Sequence, residues 1–182
     1  MADNAVSNVA VGKPKAKGAI FVAPYGTTLP ADASASLGTD FVNVGYISDD
    51  GFTHKVERES DDINAWGGDV VANPQTSFKE SFEFTMIETL NDTAMKTVFG
   101  DSNVSGDLKT GLTTLVNSNP LDAHVWIIDT ILNGHAQRFC IPDGLVTEVG
   151  DMTYKDDEVV GYQVTVTARP GTDGNCSKIY TK

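Results

Sequence analysis

The stretch TSFKESFEFTM, residues 76–86, alternates between two kinds of side chain along its whole length. One set is mostly apolar: Phe78, Glu80, Phe82, Phe84 and Met86. The other set is polar: Ser77, Lys79, Ser81, Glu83 and Thr85. Successive side chains of a β-strand point to opposite faces of the sheet. The alternation therefore predicts a strand with one face on a core and the other face in water.

Residues 52–60 carry the same period of two, and they predict the partner of this strand in a long hairpin over residues 52–88. Its predicted wet face includes Lys55, Glu57 and Glu59 beside Lys79, Ser81 and Glu83. The connection, residues 61–74, carries four apolar side chains: Ile63, Trp66, Val70 and Val71. An isolated long ribbon is marginal in water, and apolar groups at its tip indicate a partner surface. The alternative is that the tip folds back on its own core.

The rest of the chain also reads mainly as strands. Further strands are predicted at residues 19–23, 122–132, 135–141, 145–154 and 162–169. Residues 125–128 are apolar on both faces, which predicts a strand buried on both sides. One short helix is predicted at residues 91–99, capped by Asn91 or Asp92 and ended by Gly100. The pattern predicts a β-sandwich or partly closed barrel of antiparallel strands with one short flanking helix.

A single domain is predicted over residues 18–170, with an N-terminal arm at 1–17 and a polar C-terminal tail at 171–182. Residues 24–40 form a long loop of small and polar residues between two apolar segments. Residues 101–120 have no clear pattern. The arm, the loop and the tail lack an obvious role within the domain, so the chain reads as a subunit of a larger assembly. We expect contacts between subunits at Tyr25 and Leu29 of the loop, and at the four apolar side chains of the hairpin tip.

Composition excludes several classes of function. The net charge of −12 leaves too few basic residues for a phosphate-binding patch. No apolar run approaches the ~18 residues of a membrane span, so no membrane insertion is predicted. Residues 1–17 have no apolar segment of a secretory signal. Cys140 and Cys176 are therefore expected to be reduced packing residues.

Motifs of catalysis are also missing from the sequence. It holds no phosphate-cradling glycine pattern and no Gly-x-Ser-x-Gly. The three histidines lack partners at metal-ligand spacing. Asp61 and Asp62 could bind calcium, but the EF-hand spacing is absent and acids in turns are usually only solvated. A pair of carboxylates for glycoside hydrolysis stays open, because separation in space is not visible in a sequence. We predict no enzyme, with no catalytic, metal-binding or cofactor-binding residues and no cofactor.

Two blocks of the sequence resemble the tail tube protein (major tail protein) of long, non-contractile-tailed bacteriophages. The first, residues 18–52, contains Val-Ala-Pro-Tyr-Gly-Thr-Thr-Leu-Pro and ends with Val-Gly-Tyr-Ile-Ser-Asp-Asp-Gly. The second is RFCIPDGLVTEVGDMTYKDDEVVGYQVTVTARP, residues 138–170. The strand and helix between them also fit the family, and the resemblance is weakest at 101–120.

The resemblance implies a structural virion protein that forms hexameric rings stacked into a hollow tube. Genomic DNA would pass through the tube without specific binding. The implied partners are other copies of the chain, the tape measure protein and other tail proteins. The implied location is the virion tail, after assembly in the host cytoplasm. The loop at 24–40 would follow a neighbouring subunit's surface and order on assembly.

From the alternation we infer that the hairpin's wet face lines the lumen: Lys55, Glu57, Glu59, Lys79, Ser81 and Glu83. An acidic lumen would let DNA slide, since DNA carries one negative charge per ~1.7 Å of duplex axis. Lys55 and Lys79 are basic residues on this face and do not fit an acidic lumen. They would have to pair with the acids or lie at a subunit boundary. The alternatives are a tail terminator or decoration protein, or an adhesin-like module that binds carbohydrate.

Overall fold

The computed structural model describes residues 4–15 and 18–182. Residues 1–3 and 16–17 of the predicted arm lie outside the described residues. The chain is 48% strand and 7% helix, which confirms the prediction of a mainly β fold with one short α-helix. The strands are β1 Gly12–Pro14, β2 Ile20–Pro24, β3 Val42–Asn43, β4 Ile47–Ser60, β5 Ile63–Asn64, β6 Val70–Ala72, β7 Gln75–Met86, β8 Val104–Asp107, β9 Gly111–Thr114, β10 His124–Leu132, β11 His135–Val149, β12 Tyr162–Ala168 and β13 Lys178–Thr181. Helix α1 is Asp92–Phe99.

Nine of these strands form one antiparallel sheet. Its main order is β3-β2-β10-β11-β12-β7-β4, and β1 and β13 add to β10 and β11 respectively. The long hairpin is β4 and β7, in a register that pairs Phe52 with Phe84 and Arg58 with Phe78. Its tip holds the small pair β5–β6, and residues 104–114 form a separate hairpin of β8 and β9.

The two edges of this sheet come close together at one end. Strands β3 and β4 lie at opposite ends of the strand order, yet only residues 44–46 connect them. Such a connection spans at most about 14 Å, so the sheet must curl strongly. Gly45 makes the crossing with φ +95, and a Cβ there would lie 2.5 Å from the Cδ atom of Glu88. Among the described residues β3 and β4 do not pair, so the sheet is not a closed barrel.

The core lies on one face of the curled sheet. Its centre is formed by Trp126, Phe82, Met86, Val164 and Val166, all almost completely buried. Helix α1 covers one side of this core with three buried apolar side chains, Ala94, Met95 and Val98. The Oδ1 atom of Asn91 caps the helix by accepting from the backbone N–H groups of Thr93 and Ala94. The helix thus lies within the segment predicted from the sequence.

The loop at residues 24–40 lies on the second face of β10 and β11. The guanidinium of Arg138, which is 1% exposed, donates to the backbone carbonyls of Asp32 and Ala35 at 3.1 and 2.7 Å. Ala33, which lies between these two residues in the sequence, is buried. A buried arginine of the same chain thus holds the loop in place, and its contact with a neighbouring subunit stays a prediction. Residues 125–128 are all buried, as predicted for a strand covered on both faces.

The structure adds short strands in the chain termini and in residues 101–120, where the sequence predicted none. Strand β1 of the predicted arm pairs with β10, and β13 of the predicted polar tail pairs with β11. The unassigned stretch at 101–120 contains the β8–β9 hairpin. These short strands carry few apolar residues, and backbone hydrogen bonds to a longer strand or to each other hold them in place.

Candidate functional site

The polar side chains of the long hairpin share one face of the sheet, and this face continues onto the next strand. The register sets Lys55 opposite Ser81 and Glu57 opposite Lys79. Strand β12 extends the face, since Thr165 lies opposite Glu83. We call this surface the polar face and define it by the following residues: Lys55, Glu57, Glu59, Ser77, Lys79, Ser81, Glu83, Glu148, Gln163, Thr165 and Thr167. A shallow cavity of about 290 Å³ lies on it.

Lys55 and Glu83 form an ion pair across the two hairpin strands. The Lys55 Nζ atom lies 2.7 Å from the Glu83 Oε2 atom, and the Gln163 Nε2 atom donates to Glu83 Oε1 at 2.8 Å. The hydrogen bond from Lys55 lowers the pKa of the Glu83 carboxyl below its ordinary value of 4.5. The same hydrogen bond raises the pKa of Lys55 above 10.5. Because the pair neutralises its own charge, Lys55 offers little net attraction to a passing phosphate.

The other predicted residues of this face have different surroundings. Glu59 accepts a hydrogen bond from Ser77 Oγ at 2.9 Å near the far end of the hairpin. Lys79 lies directly across from Glu57, but no ion pair within 4.0 Å involves either side chain among the described residues. Ser81 is only 3% exposed, so it lies at the bottom of the cavity and does not project from the surface.

Sequence reasoning did not include Glu148 and Gln163 among the candidates, although both line the cavity. The alternation of residues 162–168 was a usable signal for Gln163 and Thr165 on strand β12. Glu148 had no such signal, because a register shift between Val146 and Glu148 breaks the alternation of β11. With two lysines and four glutamates, the polar face has a formal charge of −2.

The hairpin tip presents its apolar side chains to solvent in the single chain. Trp66 is fully exposed, and Ile63, Val70 and Val71 are each more than half exposed. The alternative interpretation, in which the tip folds back on its own core, is therefore wrong for the single chain. Apolar exposure continues along the hairpin towards the core, since Phe78 is 40% exposed. The Arg58 guanidinium lies over the Phe78 ring, 4.5 Å from the ring centre.

The two loop residues expected at subunit contacts lie at the start of the 24–40 loop. Tyr25 is exposed, in a turn where the Thr27 N–H donates to the Pro24 carbonyl at 3.1 Å. Leu29 is half-buried. Their role in contacts between subunits stays a prediction.

A comparison with protein-family models shows the family of this chain. The chain matches the model described as "Phage tail tube protein" over residues 4–181, nearly its whole length. It belongs to that family. A search of the curated proteins found no match.

Membership in the phage tail tube family makes the chain a structural tail tube protein and a component of the virion tail. It also implies that the chain assembles with other copies and with other tail proteins. The polar face and the exposed hairpin tip are therefore surfaces of a tail tube protein. In the described residues, no helix has the length and apolar character needed to cross a membrane.

One cluster in this tail tube protein has the residue types of a catalytic triad but not its geometry. His54 Nε2 lies 2.8 Å from Glu80 Oε1, and Ser177 Oγ donates to the same oxygen at 2.6 Å. A nucleophile needs direct contact with its base, whereas this serine and histidine both contact the carboxylate. The His54 ring stacks on Phe82 at 4.5 Å, which is a packing arrangement.

Other candidate chemistry in the described chain is equally limited. No group of three or more metal-ligating side chains occurs in residues 4–15 and 18–182. Cys140 and Cys176 are both free thiols, and burial raises the pKa of Cys140 to about 12. A thiol with so high a pKa is a poor nucleophile near neutral pH.

Proposed function

We propose that six copies of this chain form a ring, that rings stack into the tube of a long non-contractile phage tail, and that the polar face lines the bore. The single observation that carries this proposal is the continuity of the polar face over β4, β7, β12 and the neighbouring part of β11. Near the body of the sheet, the opposite face of these strands is the core, formed by Phe82, Phe84 and Val164, so there only the polar face can meet the contents of a tube.

The charge of the polar face suits the passage of DNA. Each copy contributes a formal charge of −2 from this face, so a ring of six would carry about −12. DNA is itself a dense line of negative charge, and basic groups hold it by releasing counterions. The pairing of Lys55 with Glu83 removes one such group, and Lys79 faces Glu57 across the strand pair. A bore of this composition repels DNA weakly and lets it move.

The exposed hairpin tip suits the assembly of a tube. An apolar patch that meets a different patch on the next copy makes a head-to-tail contact, and such contacts produce rings or open filaments. The tip carries four exposed apolar side chains at one end of the molecule, rimmed by Asp61, Asp62 and Asp69. Contacts with the tape measure protein and assembly in the host cytoplasm belong to the same proposal.

Negative-stain electron microscopy of the purified full-length chain over a range of protein concentrations tests this proposal. We expect hollow tubes with a regular axial repeat, in equilibrium with rings or monomers at low concentration. Single closed rings that never stack would indicate a terminator and contradict the proposal. A monomer that persists at every concentration, and that binds glycans on an array, would contradict it in favour of the adhesin alternative.

A further inference from the structure

A two-residue turn, Asn133 and Gly134, joins strands β10 and β11. The backbone φ angles are +48 at Asn133 and +92 at Gly134, as in the tight hairpin turn for which Asn-Gly is a preferred pair. In the part of the chain that the structure describes, Asn133 is the one residue other than glycine with a positive φ. The turn therefore favours asparagine or aspartate followed by glycine.

The carboxamide of Asn133 also holds the N-terminal segment against this turn. Its Nδ2 atom donates to the Val9 carbonyl, and its Oδ1 atom accepts from the Val11 N–H at 3.4 Å. We call these two hydrogen bonds the arm tether. The side chains of Val9 and Val11 are 69% and 65% exposed, so apolar packing adds little to the arm tether.

The same carboxamide stands next to a backbone nitrogen that is open to reaction. Asn133 is the one asparagine in the sequence that a glycine follows, and glycine has no Cβ to hinder approach to its nitrogen. Both residues of the turn are exposed. The Gly134 N–H makes no hydrogen bond to any residue that the structure describes. Water and hydroxide therefore reach both the nitrogen and the carboxamide.

We propose that Asn133 is a site of spontaneous deamidation, and that its conversion breaks the arm tether. The Gly134 nitrogen, once deprotonated by hydroxide, gives its electron pair to the Asn133 Cγ atom. The bond from Cγ to Nδ2 breaks, and Nδ2 leaves as ammonia after taking a proton from water. One water molecule then opens the five-membered succinimide at either carbonyl, which gives aspartate or isoaspartate. The whole reaction consumes one water and releases one ammonia.

The product cannot restore the arm tether. A carboxylate has no N–H to donate to the Val9 carbonyl, and its oxygen in the place of Nδ2 repels the carbonyl oxygen. The tether in turn slows the reaction, because two hydrogen bonds restrict the rotation that brings Cγ to the Gly134 nitrogen. Release of the segment and deamidation thus promote each other, and the change runs one way. Neither step needs a second copy, so the reaction does not depend on the proposed tube.

Peptide mapping by mass spectrometry tests the site in the full-length chain after incubation in warm, mildly alkaline buffer. We expect Asn133 to be converted at least tenfold faster than Asn117, an exposed asparagine that a serine follows. Asn119 is the blank, because the proline after it has no N–H to react. An isoaspartyl methyltransferase should label the product at position 133. Conversion of Asn133 no faster than that of Asn117 would overturn the proposal.

A proline in the N-terminal segment tests whether the arm tether protects Asn133. Val11→Pro removes the N–H that donates to the carboxamide, and we expect at least threefold faster deamidation. The matched control is Val6→Pro, which changes an exposed valine of the same segment outside the tether and should keep the original rate. Equal rates in the two variants and the unchanged chain would overturn the coupling between tether and reaction.

The variant Asn133→Asp shows the consequence for the N-terminal segment directly. Aspartate followed by glycine forms the same type of turn, so we expect the fold to be kept. Backbone ¹⁵N relaxation should show more mobile amides at Val9 and Val11. Asn117→Asp makes the same chemical change at another exposed residue and should leave both amides as they were. Amides of Val9 and Val11 that stay as ordered in Asn133→Asp as in the unchanged chain would overturn the release.

Discussion

The side chain of Arg138 connects three parts of the molecule that are far apart in sequence. Its Nε and Nη2 atoms donate to the two carboxylate oxygens of Asp129 at 2.6 and 2.8 Å. Its Nη1 atom holds the 24–40 loop through two backbone carbonyls. Lys15 adds a bond to Asp129 at 3.2 Å from the partly exposed arm. One buried cation thus sets the position of the strand pair and of the loop.

Replacing this cation should destabilise the fold strongly. We expect Arg138→Leu to lower the free energy of unfolding by about 3–5 kcal/mol, because Asp129 is left buried with only the partly exposed Lys15 as a partner. Lys15→Ala is the matched control, with an expected loss of about 1 kcal/mol or less for a partly exposed pair. Urea denaturation of the monomer measures both.

The double variant Asp129→Leu with Arg138→Leu separates the ion pair from the rest of the site. It should be less destabilised than Arg138→Leu alone, since no buried charge is orphaned. A double variant that loses the sum of the two single losses would show that the two charges are not energetically coupled.

The ion pair on the polar face should be visible in the titration of Glu83. In Lys55→Met we expect the pKa of Glu83 to rise towards 4.5, because the hydrogen bond that lowers it is gone. Since the folded pKa is depressed, the pair stabilises the protein above pH 4.5 and loses this effect as the pH falls through the folded pKa. The pKa of Lys55 is raised in the folded protein, so the pair stabilises the protein below pH 10.5. This stabilisation is lost as the pH rises through the folded pKa of Lys55, which lies above 10.5.

Carboxyl-detected NMR of the monomer measures this shift. Thr53→Ala serves as the control, because Thr53 faces Glu83 in the strand register without a hydrogen bond between the side chains. An unchanged pKa of Glu83 in Lys55→Met would mean that the two side chains do not pair in solution.

At the scale of elements, the short helix α1 depends on its first turn. Asn91→Ala removes the side chain that accepts from the Thr93 and Ala94 N–H groups. We expect a loss of about 1 kcal/mol in the free energy of unfolding, whereas Asn91→Ser, which keeps an acceptor and adds no charge beside Glu88, should lose much less. Thermal or urea unfolding by circular dichroism checks this. Equal losses in the two variants would mean that the cap does not contribute.

In the long hairpin, the alternation of apolar and polar residues predicts which face a side chain lies on, but not every residue's burial or register. The period of two correctly separated Phe82 and Phe84 from Lys79 and Glu83, because burial selects one face of a strand. It could not show that Ser81 is covered, since the cover comes from neighbouring strands. It also missed the extra residues between Ile47 and Phe52, where the register shifts and Asp49 and Asp50 bulge from the strand.

Other elements escaped prediction for a common physical reason. Strands β1 and β13 are held by backbone pairing to β10 and β11, and they have little apolar patterning of their own. The 24–40 loop is held by Arg138, and nothing local in the loop sequence indicates a cation more than a hundred residues away. Long-range partners of this kind leave no trace in local periodicity.

At the scale of the whole molecule, the hairpin tip should matter for assembly and not for folding. We expect Trp66→Ser with Val70→Ser to leave the free energy of unfolding within about 0.5 kcal/mol, because both side chains are exposed. Sedimentation velocity should show a loss of the assembled fraction by at least tenfold at equal protein concentration. The matched control is Leu108→Ser, an exposed apolar residue on the β8–β9 hairpin, which should assemble normally. Normal assembly of the tip variant would remove the tip from the contact between copies.

Family and fold class could both be predicted from the sequence, because the alternation and the two blocks that resemble the family extend over most of the chain. The arrangement of copies could not, since it depends on surfaces that only the folded chain brings together. The polar face is an example: Lys55, Glu83 and Gln163 come from three strands and meet only in the sheet.

Cryo-electron microscopy of the assembled tube, at a resolution that shows side chains, tests the central claim most directly. The account predicts six copies per ring with Glu57, Lys79 and Glu83 facing the bore. It also predicts that the 24–40 loop and helix α1 lie away from the bore. A tube whose bore is lined by the loop or by α1, with the polar face buried between copies or turned outward, would contradict the account.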